Sequence, residues 1–230
     1  MEQQFQYYAF ISYKREDEKW AKWLQDRLRW YKLPSKLCRQ ITRLPKKVWP
    51  VFRDNTDLDS GRLEENIRHE LERSHYLIVI CSPEAARSPW VGKEVKYFAT
   101  LHGADKIIPF VVSGIPYSND IETECIHEQI KAISQEELLA INVREEGIGS
   151  FAMKKKRAFI RVVARLLDIK FNTLWQPYER ILRIRKWSTG IGVVLFLFVL
   201  FILWDYYRTK NEYFADYVDR WGIPEGVIEL

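Results

Sequence analysis

The sequence is short of the residues that staple or metallate small domains. Its three cysteines, Cys38, Cys81 and Cys125, are an odd number at unrelated spacings with no CxxC pair, which argues against a disulfide framework or a zinc site and for a reducing compartment. The four histidines, His69, His75, His102 and His127, are scattered without an HExxH, so no metal is expected. There is no P-loop, no GxGxxG and no GxSxG, and triphosphate hydrolysis and serine esterase chemistry therefore have no support. Met1 to Tyr8 has no basic start followed by an apolar run, so a cleaved signal peptide is not expected. The acidic loop DNTDLDSG does not read as an EF-hand: with Asn55, Asp57 and Asp59 as ligands, Gly61 falls one place late and Asn66 takes the position of the bidentate glutamate.

What is present is apolar surface: 47% of the 230 residues are hydrophobic and 14% aromatic, enough for one domain of about 150 residues and an appendage. The net charge is +5, and the excess gathers between Lys154 and Lys186. Such a local basic collar does not suggest a nucleic-acid surface. From Trp187 to Trp204 the sequence WSTGIGVVLFLFVLFILW is uncharged. As a helix it would span about 27 Å, close to the hydrocarbon thickness of a bilayer. Trp187 at one end and Trp204, Tyr206 and Tyr207 at the other sit where amphipathic rings favour the headgroup layer. Basic residues outnumber acidic ones more strongly on the N-terminal side of this span, so the N-terminal domain is expected in the cytoplasm and the lipid bilayer is an expected partner.

Ahead of that span, strand and helix patterns alternate. Tyr7 to Tyr13 is an apolar run fit for a buried strand, and Trp20, Trp23, Leu24, Leu28 and Tyr31 then recur at helical spacing. After a basic, proline-broken link, VWPVF reads as a second strand. A polar loop from Asp54 to Gly61 precedes a helix marked by Leu63, Ile67 and Leu71, with Ser60 as its expected cap. Tyr76 to Ser82 is a β-branched run of the kind buried on both sheet faces, Ser88 and Pro89 begin a helix that Gly103 ends, and Lys106 to Val112 is a fourth strand. Ser113 to Gln135 is ambiguous, Leu138 to Val143 is a weak fifth strand, and Phe151 to Leu167 an amphipathic basic helix. The alternation implies a parallel, doubly wound α/β sheet.

Certain residues carry a resemblance that periodicity does not. Tyr8-Ala9-Phe10-Ile11-Ser12-Tyr13 resembles the first box of TIR (Toll/interleukin-1 receptor) domains, and Phe52-Arg53-Asp54 with Asp57-Leu58-Asp59-Ser60-Gly61 resembles their second strand and the loop after it. Ser82-Pro83, then Ser88, Trp90 and Glu94, is similar to the helix start that carries the catalytic glutamate of NAD-cleaving members. The resemblance implies a flavodoxin-like five-stranded parallel sheet over residues 1–170, followed by a basic juxtamembrane segment 171–186, a single transmembrane helix 187–207 and an acidic-aromatic tail 208–230. The link from Trp30 to Lys47 is longer than the family pattern, and the last aromatic box has no clear counterpart near Leu138 to Arg144.

By resemblance, the activity would be release of nicotinamide from NAD+, with NAD+ as substrate and no separate cofactor. Glu94 would be the catalytic carboxylate, sharing one side of its helix with Trp90 while Val91, Val95 and Phe98 face the core. Ser12, Tyr13, Lys14, Arg15, Asp59 and Trp90 would meet the substrate. Lys14 and Arg15 read equally as a solvated loop pair, and Lys154 to Arg157 either as a lipid-facing collar or as an exposed helix face. Family members complete their site when neighbouring domains stack, so self-association is expected and the role is that of a signalling or defence effector. The alternative is a non-enzymatic adaptor working through contacts between TIR domains, which has no need of Glu94.

Overall fold

The computed structural model describes residues 5–41, 44–45, 47–53, 61–133, 140–144 and 149–221. Five strands, β1 (Tyr7–Ser12), β2 (Val51–Arg53), β3 (Ser74–Cys81), β4 (Ile107–Val111) and β5 (Ile141–Asn142), form a single sheet in the order β2-β1-β3-β4-β5, and all pairings are parallel. This is the flavodoxin-like order expected from the sequence, with its topological switch between β1 and β3.

The register explains how side chains are shared between the two faces. Phe10 pairs with Phe52 and with Leu77. With period-two alternation, Phe10, Leu77, Val79, Cys81, Ile107 and Val111 turn to one face and meet helices α3 (Gly61–Glu72), α5 (Pro89–His102) and α6 (Glu128–Ile133). On the other face lie α1 (Glu18–Trp30) and α7 (Phe151–Leu166); Trp23 of α1 stacks on Phe110 at 6.4 Å and meets Phe159 of α7 edge-on at 6.2 Å. Covered on both sides, β3 and β4 have no need of a polar alternation, hence their unbroken apolar sequence.

The long link after α1 holds a short helix, α2 (Ser35–Gln40). β2 starts three residues later than VWPVF suggested, because Pro50 has no N–H for the ladder; its carbonyl still accepts from the Tyr8 N–H at 2.7 Å. Within the ambiguous stretch Ser113 to Gln135, whose last two residues lie outside the described ones, α6 takes up Glu128–Ile133 and the part before it is organised by Glu124, whose carboxylate accepts the N–H groups of Tyr117 and Ile126 and pairs with Lys131. A one-turn helix, α4 (Pro83–Ala86), separates β3 from α5. β5 is confined to two residues within the expected 138–143, and Ser60 lies outside the described residues.

The run Lys154 to Arg157 is largely engaged within the domain. Lys154 donates to the Arg144 carbonyl at 2.8 Å, Lys155 lies 4.3 Å and 4.1 Å from the ring centroids of Trp20 and Trp23, and Arg157 covers Trp175 at 4.8 Å. Three of the four side chains expected either to face lipid or to stand free are therefore held against this chain's own groups.

The last helix, α8, is continuous over Phe171–Trp221. The chain divides into two compact units, Met1–Trp175 and Gln176–Leu230. The first turn of α8 belongs to the first unit: Leu174 and Trp175 are buried and Arg161 lies 5.0 Å from the Phe171 ring. In the second unit, Ile191–Lys210 is long and apolar enough to cross a membrane and is exposed throughout. The segment after residue 207, expected as a separate tail, continues the helix to Trp221.

Candidate active site

The two helices leaving β1 and β3 pass to opposite faces of the sheet, which opens a crevice at the carboxyl ends of these neighbouring strands. Each strand delivers a serine there. Ser12 closes β1 on the face of Phe10, so it looks toward α5; Ser82 follows β3 on the face of Ile78 and Ile80, so it looks toward α1. Each donates a hydrogen bond to a carboxylate, from α5 for Ser12 and from the turn that leads into α1 for Ser82. Ser12 Oγ donates to Glu94 Oε2 at 2.5 Å, and Ser82 Oγ to Asp17 Oδ2 at 2.5 Å.

Glu94 lies in the second turn of α5 and is 5% exposed. A solvated surface position is thereby excluded. A buried carboxylate without donors costs several kcal/mol, so the Ser12 hydroxyl, itself 1% exposed, is part of what lets Glu94 stay inside. Glu94 nevertheless has one open side. It lines a cavity of about 310 Å³ between α3 and α5, together with Trp90 and Tyr97 of α5 and Ile67 and Leu71 of α3. That size is at the lower end of small-molecule sites, and the aromatic walls and one carboxylate that the described residues give it suit a ligand with flat rings and hydroxyls.

The start of α5 is fixed from two directions. Ser88 caps it, and Gly92 lets the ring of His127 approach so closely that a Cβ there would lie 2.5 Å from His127 Cε1. His127 Nδ1 accepts the Gln129 N–H at 3.0 Å, so its proton sits on Nε2, which donates to the Ser88 carbonyl at 3.1 Å. Burial lowers the His127 pKa below the usual imidazole value, against the opposing pull of that carbonyl. Burial likewise raises the Asp17 pKa, partly offset by the Ser82 hydrogen bond. Cys81 and Cys125 are buried and in no disulfide, and burial pushes the Cys81 thiol pKa well up, so it is inert as a nucleophile. Among the described residues no three His, Cys, Asp or Glu side chains gather as a metal site.

The family sequence model described as the TIR domain matches residues 9–146, well over half of the chain. The chain belongs to the TIR domain family. Over 110 residues the chain is 36% identical to "NAD(+) hydrolase ApTIR" from Actinoplanes sp. (strain ATCC 31044 / CBS 674.73 / SE50/110), covering 47% of this chain and 14% of that protein. The chain thus corresponds to a small part of its curated relative. Among solved structures it is similar to the TIR domains in "Structure of the activated Roq1 resistosome directly recognizing the pathogen effector XopQ", at 14% identity and a TM-score of 0.45, over 67% of this chain and 98% of that one.

Of the residues singled out from sequence, the TIR fold brings Glu94 and Trp90 to one cavity. Ser12 does not line that cavity: its buried hydroxyl donates to Glu94, because the alternation of β1 turns it inward. The Tyr13 hydroxyl accepts from Arg53 at 3.0 Å, and Arg53 also donates to Gln25 Oε1 at 3.1 Å and pairs with Glu18 at 3.4 Å. Lys14 and Arg15 lie in the turn between β1 and α1 and do not line the cavity. Asp59 is outside the described residues. Asp17, Gly92 and His127 were not legible as site residues. An acid before an amphipathic helix looks like an ordinary first-turn charge, and the closeness of Gly92 to His127, 35 positions on, exists only in the fold.

Proposed function

We propose that this chain is a membrane-anchored TIR-domain NAD+ glycohydrolase or cyclase that releases nicotinamide. The observation that carries the reading is Glu94, a carboxylate buried at the mouth of the sheet, oriented by Ser12 and open on one side to a cavity it shares with Trp90. The name of the Actinoplanes relative supports it.

The chemistry needs little else. In NAD+ the bond that breaks joins C1′ of the ribose to a ring nitrogen that already carries positive charge, so the electron pair goes to nicotinamide and the base leaves neutral. No general acid is required, unlike the two-carboxylate hydrolysis of sugar glycosides. Glu94 accepts from the ribose hydroxyls and offsets the positive charge that develops at C1′. Trp90 offers a flat wall to ring or sugar. Water then captures C1′ and loses a proton to solvent, or a ring nitrogen of the adenine captures it to close a cyclic product.

The helix over Ile191–Lys210 tethers the TIR domain to the bilayer, with the domain on the cytoplasmic side, where the basic residues between Lys170 and Lys186 meet anionic headgroups. Confinement to a surface raises the effective concentration of TIR domains, and assembly of neighbouring copies switches the enzyme on as a signalling or defence effector. The test is nicotinamide release from NAD+ by the full chain clustered in liposomes. Release that vanishes in Glu94→Gln is expected; no release from the clustered wild type, or undiminished release in Glu94→Gln, would leave the non-enzymatic adaptor as the better account.

A further inference from the structure

The ring of His127 joins the starts of two helices. It stands just ahead of α6, where Nδ1 accepts the Gln129 N–H at 3.0 Å, the service that a side-chain oxygen gives at an ordinary N-cap. From its other nitrogen, Nε2, it donates at 3.1 Å to the Ser88 carbonyl, which also accepts the Gly92 N–H at 3.1 Å in the first turn of α5. Gly92 lies directly against the ring, since a Cβ there would come within 2.7 Å of Nε2. Two positions to either side of Gly92 stand Trp90 and Glu94, which both line the cavity. Beside these bonds the contact is apolar, with Ile126 and Ile130 packed in one cluster with Val91 and Val95. Whatever holds His127 in place therefore also holds the turn that carries Glu94. The arrangement works in one protonation state. With a proton on Nε2 and a lone pair on Nδ1, both hydrogen bonds are made; a second proton turns Nδ1 into a donor facing the Gln129 donor, and the cap of α6 is lost. Burial disfavours the charged ring, against the Ser88 carbonyl and the Glu128 carboxylate, which favour it. The other charged residues on the flanking turns are engaged elsewhere: Glu124 pairs with Lys131, Arg87 with Glu84, the Lys93 ammonium lies 5.8 Å from the Trp90 centroid, and Glu94 accepts from Ser12.

We propose that His127 is a positioning residue for Glu94 and a proton-operated brake on the site: neutral, it ties α6 to the start of α5; protonated, it releases both. The effect on turnover rests on the reading of Glu94 given above, whereas the release itself does not. Because burial lowers the ring's pKa, release sets in below the ordinary imidazole value of about 6.5. Nicotinamide release by the TIR domain is then complete near neutrality and is lost as the pH falls through the folded-state value.

The experiment follows the full chain in liposomes from about pH 7.5 to about pH 5, a range that spans the imidazole value, with two readouts. One is nicotinamide release from NAD+; the other is amide hydrogen exchange, corrected for the intrinsic effect of pH, at α6 and the first turn of α5. His127→Asn keeps an oxygen near Nδ1 for the α6 cap and His127→Gln a donor near Nε2 for Ser88, and neither titrates. In the wild type, kcat is expected to fall by about tenfold per pH unit at the foot of its acid limb, as a single proton requires. Protection at Gln129 falls by about tenfold or more over the same interval while β3 and β4 stay protected. Both variants lack that limb and show no change of protection with pH. At neutral pH, His127→Asn loses about tenfold in kcat with KM within about twofold, and His127→Gln, which keeps the tie to α5, loses less. The proposal is overturned if wild-type Gln129 is equally protected at both ends of the range, if either variant keeps the wild-type acid limb, or if His127→Asn keeps wild-type kcat. Failure of the catalytic reading looks different: acid opening of α6 in the wild type alone, with no nicotinamide released at any pH, sinks the enzyme and leaves the switch standing.

Discussion

Removing the Ser12 hydroxyl separates the positioning of Glu94 from the integrity of the fold. In Ser12→Ala the carboxylate loses a donor at 2.5 Å in a place where both partners are almost fully shielded from water. A hydrogen bond to a charged group contributes about 1.5–3 kcal/mol. Taking about 2 kcal/mol, and assuming that the carboxylate swings toward the cavity to recover a donor, kcat for nicotinamide release falls by a factor of about 30. The same loss lowers the melting temperature by roughly 4–8 °C for a domain of this size. Ser82→Ala provides the control, because it removes an equally short hydrogen bond to a buried carboxylate, that of Asp17, on the opposite face of the sheet. It is expected to cost comparable stability while kcat stays within a few-fold. Steady-state nicotinamide release and thermal melts on the three proteins decide the matter. If Ser12→Ala keeps wild-type kcat, or if Ser82→Ala loses as much, Ser12 has no special hold on the chemistry.

Three further outcomes are expected. Gly92→Ala drives a methyl group into the His127 ring, 2.5 Å from Cε1, and should cost about 1–3 kcal/mol in a thermal melt; adding His127→Ala should return part of that loss, and a single variant that melts like wild type would show that the ring yields freely. Burial lowers the folded-state pKa of His75, His102 and His127, so below about pH 6.5 the unfolded chain takes up protons that the folded one refuses. Stability present at neutral pH is therefore lost as the pH falls from 7.5 to 5.5, whereas the raised pKa of Asp17 acts in the opposite sense nearer the carboxylate range; a melting temperature that climbs over that interval would contradict the histidine assignment. A chain ending at Trp175 should stay in the soluble fraction without detergent, whereas one ending at Lys170 loses buried Leu174 and Trp175 and should melt roughly 10 °C lower, from about 4 kcal/mol of lost burial. Equal melts for the two would mean that the first turn of α8 adds nothing to the TIR domain.

Much of the architecture was legible because it is written in local pattern. The β-branched run of β3, the serine and proline opening α5, the glycine closing it and the uncharged stretch before Trp204 each have one good physical solution, independent of the rest of the chain. The edges were less legible. β2 and β5 are short strands at the rim of the sheet, where a single proline or a two-residue pairing sets the limits and periodicity has too few turns to register. The run from Lys154 to Arg157 invited a reading as a charged face, because sequence shows charge but not the aromatic rings of Trp20, Trp23 and Trp175 brought against it from other helices.

By itself the sequence determined the α/β alternation and the apolar span, since these follow from spacing and hydropathy, while Glu94 was singled out through the resemblance of its helix start to that of TIR domains. Only the tertiary structure decided what Glu94 is attached to and what it faces. Ser12 stands 82 positions earlier, and the walls of the cavity come from α3 and α5, which are separated in the chain by β3 and α4. No one-dimensional pattern encodes that meeting: it arises because parallel strands align their carboxyl ends while the pleat turns alternate residues to opposite faces, so partners across the crevice are set by register rather than by nearness in the chain.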